Sequence, residues 1–244
     1  PRARRPLRPR PILVLALAGL AVILGVQAAA ATPGDTTWVR TFDQELHSWA
    51  DEHIATFDFP DTSVSNAKVV AFFTIGCPPA PGDCDPWDRV GSLYILRDPD
   101  RYEIARYVTP YDITPNPGTC GWQIDMSSYM HLLHGPVTLS SYIESWIGAP
   151  RGWLLTVDFA LIEGVPDWEP YRITNLWSQS YAVYGDPSNP IEERFAPMQV
   201  PVDPAAERVE ARVYCTGHGQ GNTGNCAEFC SRWHQIVADG AIFQ

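Results

Sequence analysis

Runs of β-branched and aromatic residues, cut at intervals by proline and glycine, leave this chain few options other than strands. Residues 68–75 (KVVAFFTI) are mainly apolar, β-branched and aromatic, as expected of a buried strand. Residues 154–162 alternate, with Leu155, Val157, Phe159 and Leu161 on one face. Residues 208–214 alternate too, placing Val209, Ala211 and Val213 together. Residues 92–96 and 102–108 flank Asp98-Pro99-Asp100, a turn signal, and 137–146 is a further strand candidate. Prolines and glycines gather at 78–82, 115–118, 148–152 and 185–190, where they close loops. The one helix candidate is 41–53. Many strands with turns between them predict an all-β protein, a β-sandwich or jelly roll. Gly164-Val165-Pro166-Asp167 marks a candidate domain boundary.

The start of the chain reads differently. Arg2, Arg4, Arg5, Arg8 and Arg10 precede the apolar run 12–26, and Ala28 to Ala31 follow it. A basic start, an apolar stretch and small residues make a signal peptide, expected over residues 1–31, with no stable membrane anchor after cleavage. The apolar run is short for a bilayer span. A secreted or periplasmic location is therefore expected. The net charge is −11, and no acidic residue precedes Asp35, so the exported part is more acidic still. Such a balance argues against nucleic acid as a partner, because phosphate binding needs basic patches.

Export also changes how the six cysteines read, since thiols outside the cytoplasm form disulfides. Cys77 and Cys84 are near neighbours, as are Cys226 and Cys230, which leaves Cys120 and Cys215 as a long-range pair. Spacing alone does not fix the connectivity. The set His218, Cys226, Cys230 and His234 resembles zinc-ligand spacing only loosely, and export favours the disulfide over thiolate ligands. His131 and His134 have no obvious third ligand and read as loop or surface residues. No metal site is expected.

Three short clusters carry candidate chemistry. Beside Cys84, Trp87, Asp88 and Arg89 present an aromatic, an acid and a base on a stapled loop, a combination that suits sugars. A bridged Cys226–Cys230 would hold Glu228 at the tip of a tight loop, pre-oriented as catalysis requires. On a strand, Glu144 and Trp146 would share one face, an acid beside an indole. Each cluster also has a plain reading as a stapled hairpin or a solvated strand face. Phosphate loops, dinucleotide fingerprints and nucleophile elbows are absent from the sequence.

Taken in order, these motifs resemble the peptide-N-glycosidase F family of bacterial amidases, which remove N-glycans from asparagine. The resemblance runs through Phe57-Asp58-Phe59-Pro60, Cys84-Asp85-Pro86-Trp87-Asp88-Arg89, Tyr107-Val108-Thr109-Pro110-Tyr111, Glu144-Ser145-Trp146, Val157-Asp158-Phe159, Gly217-His218 and Cys226-Ala227-Glu228-Phe229-Cys230. It implies two side-by-side antiparallel jelly rolls, a first domain over 37–165 and a second, incomplete one over 166–244. It further implies Asp88, Glu228 and Glu144 as catalytic acids. Arg89, Trp87, Trp146 and His218 would bind substrate. N-glycoproteins or glycopeptides would be the partners of a monomeric enzyme without cofactor. The rival readings are a glycosidase acting on N-glycans and a non-catalytic glycan-binding jelly roll.

The chain departs from the family pattern at Val90, Thr216 and Phe229, where tyrosine and two tryptophans are usual, and Cys120 and Cys215 have no counterpart there. The family continues past Gln244 with further strands carrying an arginine and a tryptophan of the site. The sequence is therefore expected to be a piece of a longer gene product, inactive or insoluble by itself.

Overall fold

The computed structural model describes residues 34–111, 119–177, 188, 190–216 and 233–243. Nine strands build two antiparallel sheets. They are β1 (Thr36–Arg40), β2 (Glu45–His47), β3 (Glu52–Phe59), β4 (Asn66–Gly76), β5 (Val90–Arg97), β6 (Asp100–Val108), β7 (Thr119–Asp125), β8 (Gly135–Ile143) and β9 (Trp153–Glu163). One sheet has the order β1-β9-β4-β7, with β2 also on β9, and the other has the order β3-β8-β5-β6. Chain order alternates between the sheets through β2–β5 and again through β6–β9. Counting β1 and β2 as one interrupted strand, this is the eight-stranded, double Greek-key path of a jelly roll.

Pleating explains which side chains close the core. Val69, Ala71, Phe73 and Ile75 of β4 meet Leu155, Val157, Phe159 and Leu161 of β9 on the inner face of one sheet. Leu93, Ile95, Val137, Leu139 and Ile143 line the inner face of the other. All of these are buried, and each one larger than Ala71 contributes about 1.5–3 kcal/mol by leaving water. Gly91 lets the sheet accept Tyr107, since a Cβ there would fall 2.2 Å from the tyrosine ring.

The strands expected at 68–75, 92–96, 102–108 and 154–162 lie within β4, β5, β6 and β9. Three expectations are corrected. Residues 41–53 form no helix; they hold β2 and the start of β3, because Leu46 and His47 are drawn into pairing with Leu154 and Trp153. The strand over 137–146 stops at Ile143, three residues short of Trp146. Residues 208–214 are not a strand: they find no sheet partner among the described residues and are fixed by side chains instead. Tyr214 donates to the Ile104 carbonyl at 2.6 Å and meets the Tyr129 hydroxyl at 2.9 Å. Beyond Glu163 the described residues carry one short helical turn, Ile191–Arg194, and a hairpin of β10 (Ile236–Ala238) and β11 (Ala241–Phe243). Among the described residues no helix is long and apolar enough to cross a membrane.

One polar pair sits inside this sandwich. His47 is fully buried at the end of β2, with Nε2 3.1 Å from the Ser141 hydroxyl and its ring 4.4 Å from that of His53. The Glu45 carboxylate in turn holds His53 Nδ1 at 2.8 Å. Burial, then the neighbouring His53, lowers the His47 pKa to about 3. The folded state thus keeps His47 neutral, while the unfolded chain takes up a proton near the ordinary histidine pKa of about 6.5. Stability is complete above that value and falls as pH drops below it, by up to about 1.4 kcal/mol per unit. Denaturant unfolding of the parent and of His47→Leu at pH 7 and pH 5 is the measurement. The parent is expected to lose about 2 kcal/mol more than the variant over that interval. Equal losses would show that His47 is not the titrating group.

Candidate active site

Antiparallel pairing brings four connections to one end of the sandwich. They are residues 48–51 between β2 and β3, 77–89 between β4 and β5, the described residues 109–111 that follow β6, and 144–152 between β8 and β9. The register requires it: Gly76 pairs with Thr119 and Leu154, Val90 with Val108, Gly91 with Ile143, and Glu52 with Tyr142.

The 77–89 connection is rigid. Cys77 and Cys84 are joined by a disulfide, with both residues buried. The Gly152 amide donates to the Asp83 carbonyl at 3.0 Å, and Arg151 donates to the Cys84 carbonyl at 3.2 Å. At Gly82 a side chain would strike the Pro150 carbonyl at 2.6 Å, so only glycine permits this approach of the two connections.

Asp85 is the centre of the arrangement. It is fully buried, and its Oδ2 accepts from Arg89 Nε at 2.7 Å and from the Ser145 hydroxyl at 2.8 Å. Its Oδ1 accepts from the Trp87 amide at 3.1 Å. Burial alone would raise this carboxyl, but the bonds from Arg89, Trp87 and Ser145 together hold it below the ordinary carboxylate range. Arg89 extends the network to a third connection. Its amide donates to the Thr109 hydroxyl at 2.8 Å, and the Thr109 amide donates back to the Arg89 carbonyl at 2.8 Å.

The consequence for the two candidate acids is geometric. Asp88 precedes Arg89 and Glu144 precedes Ser145, and both of these neighbours bond to one oxygen of Asp85. The Glu144 amide also donates to the Val90 carbonyl at 2.9 Å. Asp88 and Glu144 are both half-buried at this end of the sandwich. Glu144 and Trp146 lie just past β8 rather than on it, with buried Ser145 between them and its amide donating to the Ile143 carbonyl at 2.7 Å. Around the acids Trp87, Tyr111 and Trp146 are exposed, and the Trp87 and Tyr111 rings lie 5.8 Å apart at 57°. Carboxylates among exposed aromatic faces can take a sugar, with ring C–H groups on the indoles and hydroxyls on the acids.

Several expected residues fall elsewhere. Glu228, His218, Cys226 and Cys230 lie outside the described residues. Cys120 and Cys215 are free thiols, so the pair expected between them is not formed. Cys120 sits on β7 opposite Ile75, whereas Cys215 follows Tyr214, which is tied to Ile104. His131 and His134 lie in the β7–β8 connection, at the opposite end of the sandwich. Burial, with His134 and Arg97 nearby, lowers the His131 pKa. Among the described residues no three histidines, cysteines or acids are placed to hold a metal ion.

Asp85, Ser145, Thr109 and Tyr111 stand in the quoted motifs, but Asp85 and Asp88 bracket Pro86-Trp87 in one acidic loop, and little in the sequence separates them. The spacing of Asp85 and Arg89 was the available signal.

No protein-family model matches the chain. Among curated proteins it is similar to peptide-N(4)-(N-acetyl-beta-D-glucosaminyl)asparagine amidase F of Elizabethkingia miricola, 26% identical over 231 residues, which is 89% of this chain. The chain spans 64% of the length of that relative. Among solved structures it is similar to PNGase F, a glycosylasparaginase from Flavobacterium meningosepticum, at 30% identity and a TM-score of 0.47, over 55% of this chain and 44% of that one. A recombinant peptide:N-glycanase F matches at 29% identity and a TM-score of 0.46, over 55% and 43%. The long sequence alignment and the ordered motifs already quoted agree: over most of its length the chain is similar to the peptide-N-glycosidase F family.

Proposed function

We propose that this protein is a secreted or periplasmic amidase that hydrolyses the β-amide joining asparagine to N-acetylglucosamine in N-glycoproteins or glycopeptides. One observation supports it most directly: a single buried carboxylate, Asp85, anchors the residues that follow both Asp88 and Glu144, beneath exposed Trp87, Tyr111 and Trp146. The Cys77–Cys84 disulfide suits an exported protein.

Amide hydrolysis needs a proton removed from water and one delivered to the departing nitrogen. Asp88 is the principal acid/base at the scissile amide, and Glu228 holds or polarises the water. The water oxygen bonds to the amide carbon, the C–N bond breaks, and the nitrogen leaves with the added proton. The products are an aspartate in the peptide and a glycosylamine that later loses ammonia. Glu144 orients the first sugar and Trp146 packs on it. Arg89, committed to Asp85 through Nε, acts first as the anchor of the Asp88 loop. A second jelly roll over 166–244, carrying Glu228 and His218, is part of this proposal.

The test is the product formed from a glycopeptide in heavy-oxygen water by the full-length gene product. Conversion of asparagine to aspartate with one solvent oxygen incorporated is expected. An intact asparagine still bearing one N-acetylglucosamine would instead identify a glycosidase. Retention of the glycan without release, unchanged by Asp88→Asn, would identify a binding module.

A further inference from the structure

Trp49 is an exposed aromatic at the same end of the sandwich that the proposed reaction does not use. It lies in the 48–51 connection and keeps 63% of its surface in water. Its backbone has φ of 51°, and that of Ala50 has φ of 54°. Two successive residues with side chains in the left-handed region are unfavourable, and a bulky residue there is an outlier. The burial of an indole does not explain them, because the indole is not buried.

What the conformation achieves is placement. The Trp49 amide donates to the Ile147 carbonyl at 3.0 Å, and the Asp51 amide donates to the Ser48 carbonyl at 3.1 Å, closing the turn. The ring then lies against Gly148, where a Cβ would come within 2.3 Å of Nε1 and 2.9 Å of Cε2. A strained turn and a bare glycine backbone together seat an indole beside the connection that carries Glu144 and Trp146. Strain that persists where the fold gains no burial points to a use outside the fold.

We infer that Trp49 is a specificity-determining residue that stacks on a pyranose ring of the glycan beyond the first N-acetylglucosamine. This rests on the amidase reading for its catalytic consequence. A pyranose ring is the occupant that fits. It offers a flat C–H face to the indole, and its hydroxyls suit the exposed Asp51 carboxylate two residues on in the same turn. Continuity with Trp146 across Ile147 and Gly148 makes the two indoles successive stations on one connection pair.

The experiment compares the parent full-length gene product with Trp49→Ala, Trp49→Phe and Gly148→Ala. Substrates are a glycopeptide bearing one N-acetylglucosamine and the same peptide bearing a complete N-glycan. Binding of the free N-glycan oligosaccharide to the same variants, each carrying Asp88→Asn, is followed by calorimetry. Trp49→Ala is expected to raise KM for the complete glycan about five- to tenfold, with kcat little changed and the one-sugar substrate unaffected. Trp49→Phe is expected to restore most of the loss. Gly148→Ala, which pushes the ring from its seat, is expected to reproduce it. Equal effects on both substrates, or no change in KM for the complete glycan, would overturn the inference. Should no substrate be cleaved, the amidase reading fails, and the calorimetry still decides Trp49. Weaker oligosaccharide binding by Trp49→Ala supports the stacking role, and unchanged binding ends it.

Discussion

Replacing Asp88 by asparagine in the full-length gene product is expected to lower kcat for glycan release by about 10²–10⁴-fold, the usual contribution of a positioned acid or base. Asparagine has nearly the shape of aspartate, so the loop keeps its path between Trp87 and Arg89. The anchor of that loop is Asp85, not Asp88, and it is untouched by the change. KM and unfolding stability are therefore expected to stay close to those of the parent. A variant that binds glycopeptide and does not release it would separate recognition from chemistry. The readout is release of the free glycan by chromatography beside denaturant unfolding of the same preparation. Activity within about tenfold of the parent would remove Asp88 from the principal acid/base role.

The second large effect is structural. Asp85→Ala removes a buried carboxylate that receives Arg89, the Trp87 amide and Ser145 at once. The Arg89 side chain, 16% exposed, is then left charged without its partner. Breaking one side of such a pair costs about 3–5 kcal/mol, more than the pair itself contributes, because an uncompensated charge stays behind. Asp85→Asn retains an acceptor and is expected to cost less. The pH dependence separates this contribution from that of His47. The folded Asp85 carboxyl titrates below its unfolded value, so its contribution is complete above the ordinary carboxylate pKa and is lost as pH falls through the depressed one. The His47 loss begins nearer neutrality. Release activity should fall in Asp85→Ala as well, since Asp88 and Glu144 lose their common anchor. Unfolding of Asp85→Ala within about 1 kcal/mol of the parent would show that the network does not hold the connections.

How far the sequence could be read follows from where each strand lies. β4 and β9 are flanked on both sides, so their apolar runs declare themselves. β1, β3 and β7 lie at sheet edges, with exposed Trp38 on β1 and exposed Ile54 on β3, and alternation there is too weak to stand out. Residues 208–214 show the converse, since alternation is a property of a face and a strand also needs a neighbour. The acids Asp88 and Glu144 were legible as motif residues. The Asp85–Ser145 bond was not, because its partners are 60 residues apart and an aspartate in a loop rich in proline looks solvated. Trp49 was invisible for another reason: its role depends on two backbone angles and on a glycine in a different connection.

The position of β9 has a consequence for how the protein is made. β9 is the last strand of the sandwich to be synthesised, and it pairs with β1, β2 and β4. Arg40 and Asp158, facing each other across β1 and β9, are 118 residues apart in the chain. Until β9 emerges, β1 and β2 have no partner in that sheet, and β4 has only β7. The sandwich therefore cannot assemble piece by piece during translation. Its closure waits for nearly the whole of the first 163 residues, which makes the folding step slow and leaves the apolar face of β4 open to other chains while it waits.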